Sequence, residues 1–247
     1  MSLEPSKNSW GFKNVTSFYS KNRNKTSDLY RSEKVLLKKI KIKIRSILDF
    51  GCAAGGFNSI FNKIFKDISY TGIDFDKEMI KLSKKNYSKK TKFILSNNIP
   101  NKIKKHDLVF STGVMNHVKN YQNVITKMIN KSKYYTFVDC PRLHNKRKIV
   151  AKMDLSKRFD GVKKKNIVNY YVENLNNFLR FIKILNYKNN LNIYFYIENL
   201  PYSKKYINLK NRIYFLTILL EKNGKNKVVV YSSNKKIKKY IYAFFKK

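Results

Sequence analysis

The chain has 247 residues, 43% of them hydrophobic, and carries Lys+Arg 54 against Asp+Glu 15, a formal charge of +39. That length suits one α/β domain with additions, and 18 tyrosines and 17 phenylalanines are ample for a core. No long uncharged apolar run reads as a membrane span, the first residues lack the charged start and apolar stretch of a signal peptide, and two cysteines, Cys52 and Cys140, make no disulfide framework.

Free cysteines suit a reducing, cytoplasmic location. No H-E-x-x-H and no paired C-x-x-C is present, so no metal site is expected. The charge is mostly lysine; arginine occurs only at 23, 31, 45, 142, 147, 158, 180 and 212. Readers of nucleic acid favour arginine for bidentate contacts. The lysines are spread along the chain beside abundant Asn, Ile, Tyr and Phe, residues that share A/T-rich codons. A nucleic-acid partner is therefore possible but not favoured, because a basic balance alone speaks to non-specific attraction.

Residues 1–29 are polar with scattered aromatics, among them Trp10, Phe12, Phe18 and Tyr19. Tyr30 to Ile40 has helical spacing, with Ser32 and Glu33 near its start. Phe12 and Phe18 read as the packed side of an N-terminal helix. Arg45 to Phe57, R-S-I-L-D-F-G-C-A-A-G-G-F, is the most informative stretch. Ile47, Leu48 and Phe50 form a short buried strand with Asp49 near its end. Gly51, Ala53, Gly55 and Gly56 make a small-residue turn, and Asn58 to Phe65 follows at helical spacing. In an α/β sheet such a turn lets a ligand approach the backbone. The Walker Lys-Ser/Thr ending is absent, and the glycine order is not G-x-G-x-x-G. An ordinary β-α turn packed with small residues is the plain alternative.

Tyr70 to Ile73 is a second strand ended by Asp74. A carboxylate there, roughly 20 residues after the turn, can accept both ribose hydroxyls of a bound nucleoside. Its alternative role, a helix N-cap, is better filled by Asp76 ahead of Lys77–Lys84. Lys92 to Ser96 is a third strand, followed by Asn97 and Asn98. His106 to Val118 is a fourth strand and its loop, Tyr121 to Asn130 a helix, and Tyr134 to Cys140 a fifth strand. Strands four and five open on one sheet edge, which makes His117, Asp139, Arg142 and His144 candidate neighbours; Asp139 could equally cap a turn before Pro141. Residues 145–170 are basic and weakly periodic. Tyr171 to Tyr187 reads as an amphipathic helix, Asn192 to Glu198 as a strand, Tyr206 to Glu221 as a helix or long apolar segment, and Val228–Ser232 and Tyr240–Phe245 as closing strands.

Asp49, Gly51, Ala53 and Gly55, with Cys52 inside the turn, spell D-x-G-x-A-x-G. This resembles motif I of the class I S-adenosylmethionine-dependent methyltransferases, D/E-x-G-x-G-x-G, with Ala53 for the middle glycine. Alanine preserves close approach where φ need not be positive. Residues 72–80, G-I-D-F-D-K-E-M-I, resemble the second motif and imply Asp74 on the ribose and Phe75 against adenine. Asn97 stands where the family has an aspartate that receives the adenine amino group; its amide oxygen can still accept, with Asn98 beside it. The fourth strand resembles F-D-hydrophobic-V-x-S-x-x-V-hydrophobic-x-H-hydrophobic, typical of small-molecule methyltransferases, and implies Ser111, Thr112 and Gly113 beside the methionine part of the cofactor. The D/N-P-P-Y/F tetrapeptide is absent, which argues against a DNA adenine methyltransferase.

The resemblance implies a Rossmann-like, mostly parallel seven-stranded sheet with helices on both faces and an antiparallel strand near one edge. It also implies S-adenosyl-L-methionine as cofactor. One domain spans 1–247: an N-terminal segment 1–40 that covers the cofactor, with Tyr19 and Tyr30 as lid residues, a cofactor-binding core 41–145, and an acceptor region with sheet completion 146–247. A hydroxyl acceptor also wants a base; His117 and His144 are the candidates, and the plain alternative for His117 is a structural histidine bonded to backbone. The expected function is O-methylation of a sugar or other hydroxylated small molecule. RNA methylation, favoured by charge alone, and a non-catalytic cofactor-binding protein are the rivals.

Overall fold

The computed structural model describes residues 13–87, 91–157, 167–200 and 213–246. Strands β1 (Ser46–Phe50), β2 (Ser69–Asp74), β3 (Lys92–Leu95), β4 (His106–Ser111) and β5 (Ser132–Asp139) lie parallel in the order β3-β2-β1-β4-β5. β9 (Asn192–Leu200) and β10 (Ile213–Glu221) complete seven strands, with β10 antiparallel to both of its neighbours. This is the Rossmann-like sheet that the motifs imply. Four more strands enlarge it. β11 (Val228–Tyr231) adds parallel to β9. β6 (Arg142–His144), β8 (Ile167–Asn174) and β7 (Ile149–Asp154) form a branch that joins β10 through the pair Tyr214–Leu143.

Both faces of the parallel strands are covered, so their sequences read as apolar runs rather than alternations. On β1, Ile47 and Leu48 are both fully buried on opposite faces. Helices α2 (Arg31–Leu37), α3 (Gly56–Phe65) and α4 (Lys77–Asn86) cover one face. Helices α5 (Tyr121–Lys131), α6 (Leu175–Asn189) and α7 (Lys235–Lys246) cover the other. α3 presents Phe57, Ile60 and Phe61 inward, and Phe110 of β4 meets Phe57 and Phe61 at ring-centroid distances of 4.5 and 4.8 Å. Each such buried side chain contributes about 1.5–3 kcal/mol. Asp76 caps α4 by accepting from Glu78 and Met79 N–H, the role foreseen for it.

Several expectations need correction. Ile213–Glu221 is a strand rather than a helix; 206–212 lie outside the described residues. Residues 240–245 are helical, within α7, because Ile237 and Ile241 place a buried stripe four residues apart. Residues 171–174 belong to β8, and the helix starts at Leu175 behind the N-cap Asn174. Part of the basic stretch 145–170 is β7 and the start of β8. Trp10 and Phe12 lie outside the described residues. Phe18 on α1 (Lys13–Lys21) is 39% exposed, not packed in a core.

Candidate active site

A continuous cleft opens at the C-terminal ends of β1, β2, β4 and β5. Its larger compartment, about 540 Å³, adjoins a smaller one of about 100 Å³; Tyr19, Gly51, Ala53, Thr112 and Gly113 line both. The turn after β1 forms the floor. Gly51 has φ +81°, and a Cβ there would lie 2.1 Å from Val114 Cγ2. Ala53 has φ +47°, so the alanine in the motif does occupy a left-handed position, at a strain that glycine would avoid. Gly55 also has positive φ, but its missing side chain makes room for Phe93 and Tyr87, and it lines neither compartment.

The small compartment holds Asp74, Phe75, Met79, Ser96, Val114 and His117. Asp74 is 7% exposed; its Oδ2 accepts Ala53 N–H at 2.8 Å and its Oδ1 accepts Asp76 N–H at 2.9 Å. The carboxylate braces the turn and keeps lone pairs for a ligand. Burial raises it to about 6, against the pull of those backbone donors. Asp49 is 2% exposed, accepts from Tyr70 OH, and is raised to about 7 by burial; it lines neither compartment. Cys52 lines the large one, with its thiol pushed up by burial.

The sites after β3 and β4 divide. Asn97 is exposed and Asn98 accepts from Lys127 Nζ and Ile99 N–H; neither lines the cleft, whereas Ser96 does. Ser111 is fully buried and donates to the Phe50 carbonyl, which ties β4 to β1 rather than facing a ligand. Thr112 and Gly113 line both compartments, and nothing stands within 4 Å of where a Gly113 Cβ would be. Gly113 N–H donates to Asp139 Oδ2, while Asp139 Oδ1 takes Arg142 Nη1 at 3.1 Å. Asn116 Oδ1 in turn accepts Arg142 N–H, and the guanidinium lies 4.4 Å from the Phe215 ring centroid. Burial raises the Asp139 carboxyl while Arg142 opposes it.

The two histidines fall apart. His117 Nδ1 lies 3.1 Å from the Asn169 carbonyl, its ring edge-on to Tyr170. A carbonyl only accepts, so Nδ1 carries the proton, as in the structural alternative. His144 lines a different pocket. Its Nδ1 accepts the backbone N–H of Lys146 and Arg147, so that lone pair is spent, and it is not a neighbour of the cleft residues Asp139 and Arg142.

Tyr19 and Tyr30 do line the cleft, and Phe18 stands at its rim. Arg23, which no motif marks, also lines the cleft. Its guanidinium bonds Glu33 and the Asp28 carbonyl and lies over Tyr30 and Phe57 at 4.1 and 4.9 Å. Its backbone runs so close to α3 that a Cβ on Gly56 would lie 2.4 Å from the Arg23 carbonyl. Val15 packs with Ala54 and Met79, seating α1 across the cofactor turn. Also unforeseen are Tyr170, Tyr196, Glu198 and Phe215 in the large compartment, where Tyr196 OH donates to Glu198. That bond and burial push the Tyr196 phenol up to about 12.

A strand-turn-helix floor, a ribose-height carboxylate at the second strand and a glycine facing open space after the fourth all fit a nucleoside-bearing cofactor. The methyltransferase family described as "Methyltransferase domain" matches residues 43–188, more than half of the chain. The chain belongs to this family. S-adenosyl-L-methionine is the family's cofactor, and methyltransferases of similar fold are crystallised with S-adenosyl-L-homocysteine. The chain is 33% identical over 128 residues to the 235L protein of Invertebrate iridescent virus 6, itself named a methyltransferase. That match covers 49% of this chain and 46% of the relative, so the chain spans less than half of the relative's length. Among solved structures, an O-methyltransferase of a Brevibacillus brevis trans-AT PKS multienzyme has TM-score 0.51 at 13% identity, covering 73% of this chain and 67% of its own. The plantazolicin methyltransferase BpumL has TM-score 0.50 at 15% identity, covering 85% and 86%. At those identities the likeness is one of fold. No helix among the described residues is long and apolar enough to cross a membrane, and no group of three or more His, Cys, Asp or Glu among them could hold a metal ion.

Proposed function

We propose that the chain is a single-domain enzyme that methylates a hydroxyl of a small molecule held in the large compartment. The reading rests on one observation. The compartment is walled by aromatic rings, Tyr19, Tyr30, Phe57, Tyr170 and Phe215, and one of its two carboxylates, Glu198, is bonded to a tyrosine rather than to a cation. Asp139, the other carboxylate there, is taken up by Arg142 and Gly113. A sugar or another hydroxylated ring offers an apolar face to such walls and a hydroxyl to Glu198.

S-adenosyl-L-methionine supplies an electrophilic methyl group on its sulfonium. In this reading Asp74 accepts the ribose hydroxyls, Phe75 and Val114 flank the adenine, and Gly51, Ala53, Thr112 and Gly113 bound the methionine part. Asp139 fixes the Gly113 loop, and Arg142 fixes Asp139. The N-terminal cover, held by Arg23, excludes water. An acceptor oxygen must lose its proton as it attacks, and Glu198 takes that proton while Tyr196 orients the carboxylate. Holding the acceptor in line accounts for much of the rate. His117, at the cofactor end, positions Tyr170 through its ring edge and is not the base in this scheme.

The test is to offer labelled cofactor with a small-molecule extract and, separately, with total RNA. Label entering a low-mass hydroxylated compound, with little change at moderate salt, supports the reading. Stoichiometric methylation of one RNA position overturns it, because binding through scattered lysines would be weak, sequence-blind and steeply salt-dependent.

A further inference from the structure

On the other side of the β9–β10 ladder lies a second pocket, of about 590 Å³, lined by His144, Lys146, Arg147, Asn199, Tyr214 and Asn234 among others. Successive residues of a strand point to opposite faces. Glu198, Leu200 and Phe215 face the cleft, while Asn199 and Tyr214 face this pocket, so the two are separate. We propose that this second pocket binds a phosphate-type oxyanion.

Three observations carry it. First, the described lining contains donors and cations and no carboxylate; Glu173, on the neighbouring strand, is already paired with Lys148 at 3.3 Å. Second, His144 is 5% exposed and its tautomer is fixed. Nδ1 accepts the N–H of Lys146 at 3.1 Å and of Arg147 at 3.2 Å, so the ring proton sits on Nε2, and no described residue accepts from it. The Nε2–H keeps some exposure where His144 lines the pocket, so it can donate to a ligand there. Burial and the charges of Arg147 and Lys146 hold the imidazole below its usual range, which keeps it neutral and the tautomer intact. Third, α7 begins here. Asn234 Oδ1 accepts Ile237 N–H, which leaves its amide N–H₂ to donate, and the first turn of the helix has lysines and no acid. Lysines at the positive end of a helix dipole oppose each other, and an anion seated there relieves both. Tetrahedral oxyanions accept from several directions at once, as this set of side-chain and backbone donors requires.

The probe is inorganic pyrophosphate, followed by calorimetry on the full chain, with a short single-stranded oligonucleotide as a second arm. His144→Asn keeps an acceptor near the Nδ1 position and removes the Nε2–H. It should weaken pyrophosphate binding at least 10-fold with S-adenosylhomocysteine affinity unchanged. Arg147→Ala, on the exposed turn, should weaken it comparably and serves if His144→Asn does not fold. Lys84→Ala/Lys85→Ala, exposed on α4 far along the chain, should change nothing. Oligonucleotide binding that is tighter than pyrophosphate binding and lost in the same variants would identify the source of the phosphate as nucleic acid. Equal affinity in wild type and His144→Asn, or an equal loss in the α4 lysine pair, would reduce the site to diffuse surface charge and overturn the proposal. Cofactor affinity is read separately, so this result is independent of the methylation reading.

Discussion

Gly51→Ala asks whether the turn glycine makes room for ligand or for the protein itself. Two costs are visible. An L-residue held at φ +81° pays about 1–2 kcal/mol. The new Cβ would stand 2.1 Å from Val114 Cγ2, so the loop after β4 must shift, at about 1–3 kcal/mol for an overpacked site. The single variant should therefore lose about 2–5 kcal/mol, at about 2–4 °C of melting temperature per kcal/mol for a chain of this size. Val114→Ala removes both γ carbons and leaves Val114 Cβ 3.5 Å from the new atom, an ordinary contact. The double variant should then recover the overlap cost, a coupling of about 1–3 kcal/mol, and retain only the backbone strain. Urea unfolding of the cofactor-free proteins measures this, with calorimetry against S-adenosylhomocysteine alongside. Additive losses in the double variant would refute the steric reasoning. A stable double variant with no cofactor affinity, beside a Val114→Ala single variant that still binds, would return Gly51 to the ligand.

Asp74→Ala should weaken cofactor binding by about 1–3 kcal/mol and also lower stability, since Ala53 and Asp76 N–H lose their acceptor; unchanged affinity in a folded variant would leave Asp74 only a brace. Asp49 is raised in the folded state to about 7. Its contribution is fully present below the unfolded carboxylate value and is lost as pH rises towards 7, so cofactor-free wild type should lose stability relative to Asp49→Asn across that window, at up to about 1.4 kcal/mol per pH unit. Thermal melts between pH 4 and 8 that stay parallel would contradict the assignment. Glu198→Gln should lower kcat about 10²–10⁴-fold with cofactor affinity intact, and a kcat unchanged at all pH values would remove Glu198 as the proton acceptor.

The cofactor half was legible because its signals are local. Strand, turn and helix follow one another within Arg45 to Phe65, and Asp74 closes a short apolar strand. Ile213–Glu221 misled because a continuous apolar run has no period that separates a doubly buried strand from a buried helix. Tyr240–Phe245 misled in the opposite sense, since aromatic and β-branched residues favour strands unless the four-residue spacing of Ile237 and Ile241 is given weight. The acceptor end was not legible at all. Arg23 lies far in sequence from Tyr196 and Glu198, which sit two residues apart on β9, and none of them carries a motif; the N-terminal cover and β9 bring them to one compartment. His144 was assigned to the cleft because it follows β5 closely, but it stands at the end of β6 and lines another pocket.

The late arrival of β10 has a consequence for biosynthesis. Thr217–Glu221 pairs with Asp139–Tyr135, so β5 cannot complete its outer edge until some 80 further residues have left the ribosome. Until then a run containing Phe137 and Val138 presents unpaired backbone, the kind of edge that recruits other chains. Pairing over that separation is also slow. C-terminal truncations that stop before Ile213 should accumulate as aggregates even though every cofactor motif is present, and slowed translation after β5 should lengthen exposure of that edge and lower the soluble yield of the whole chain.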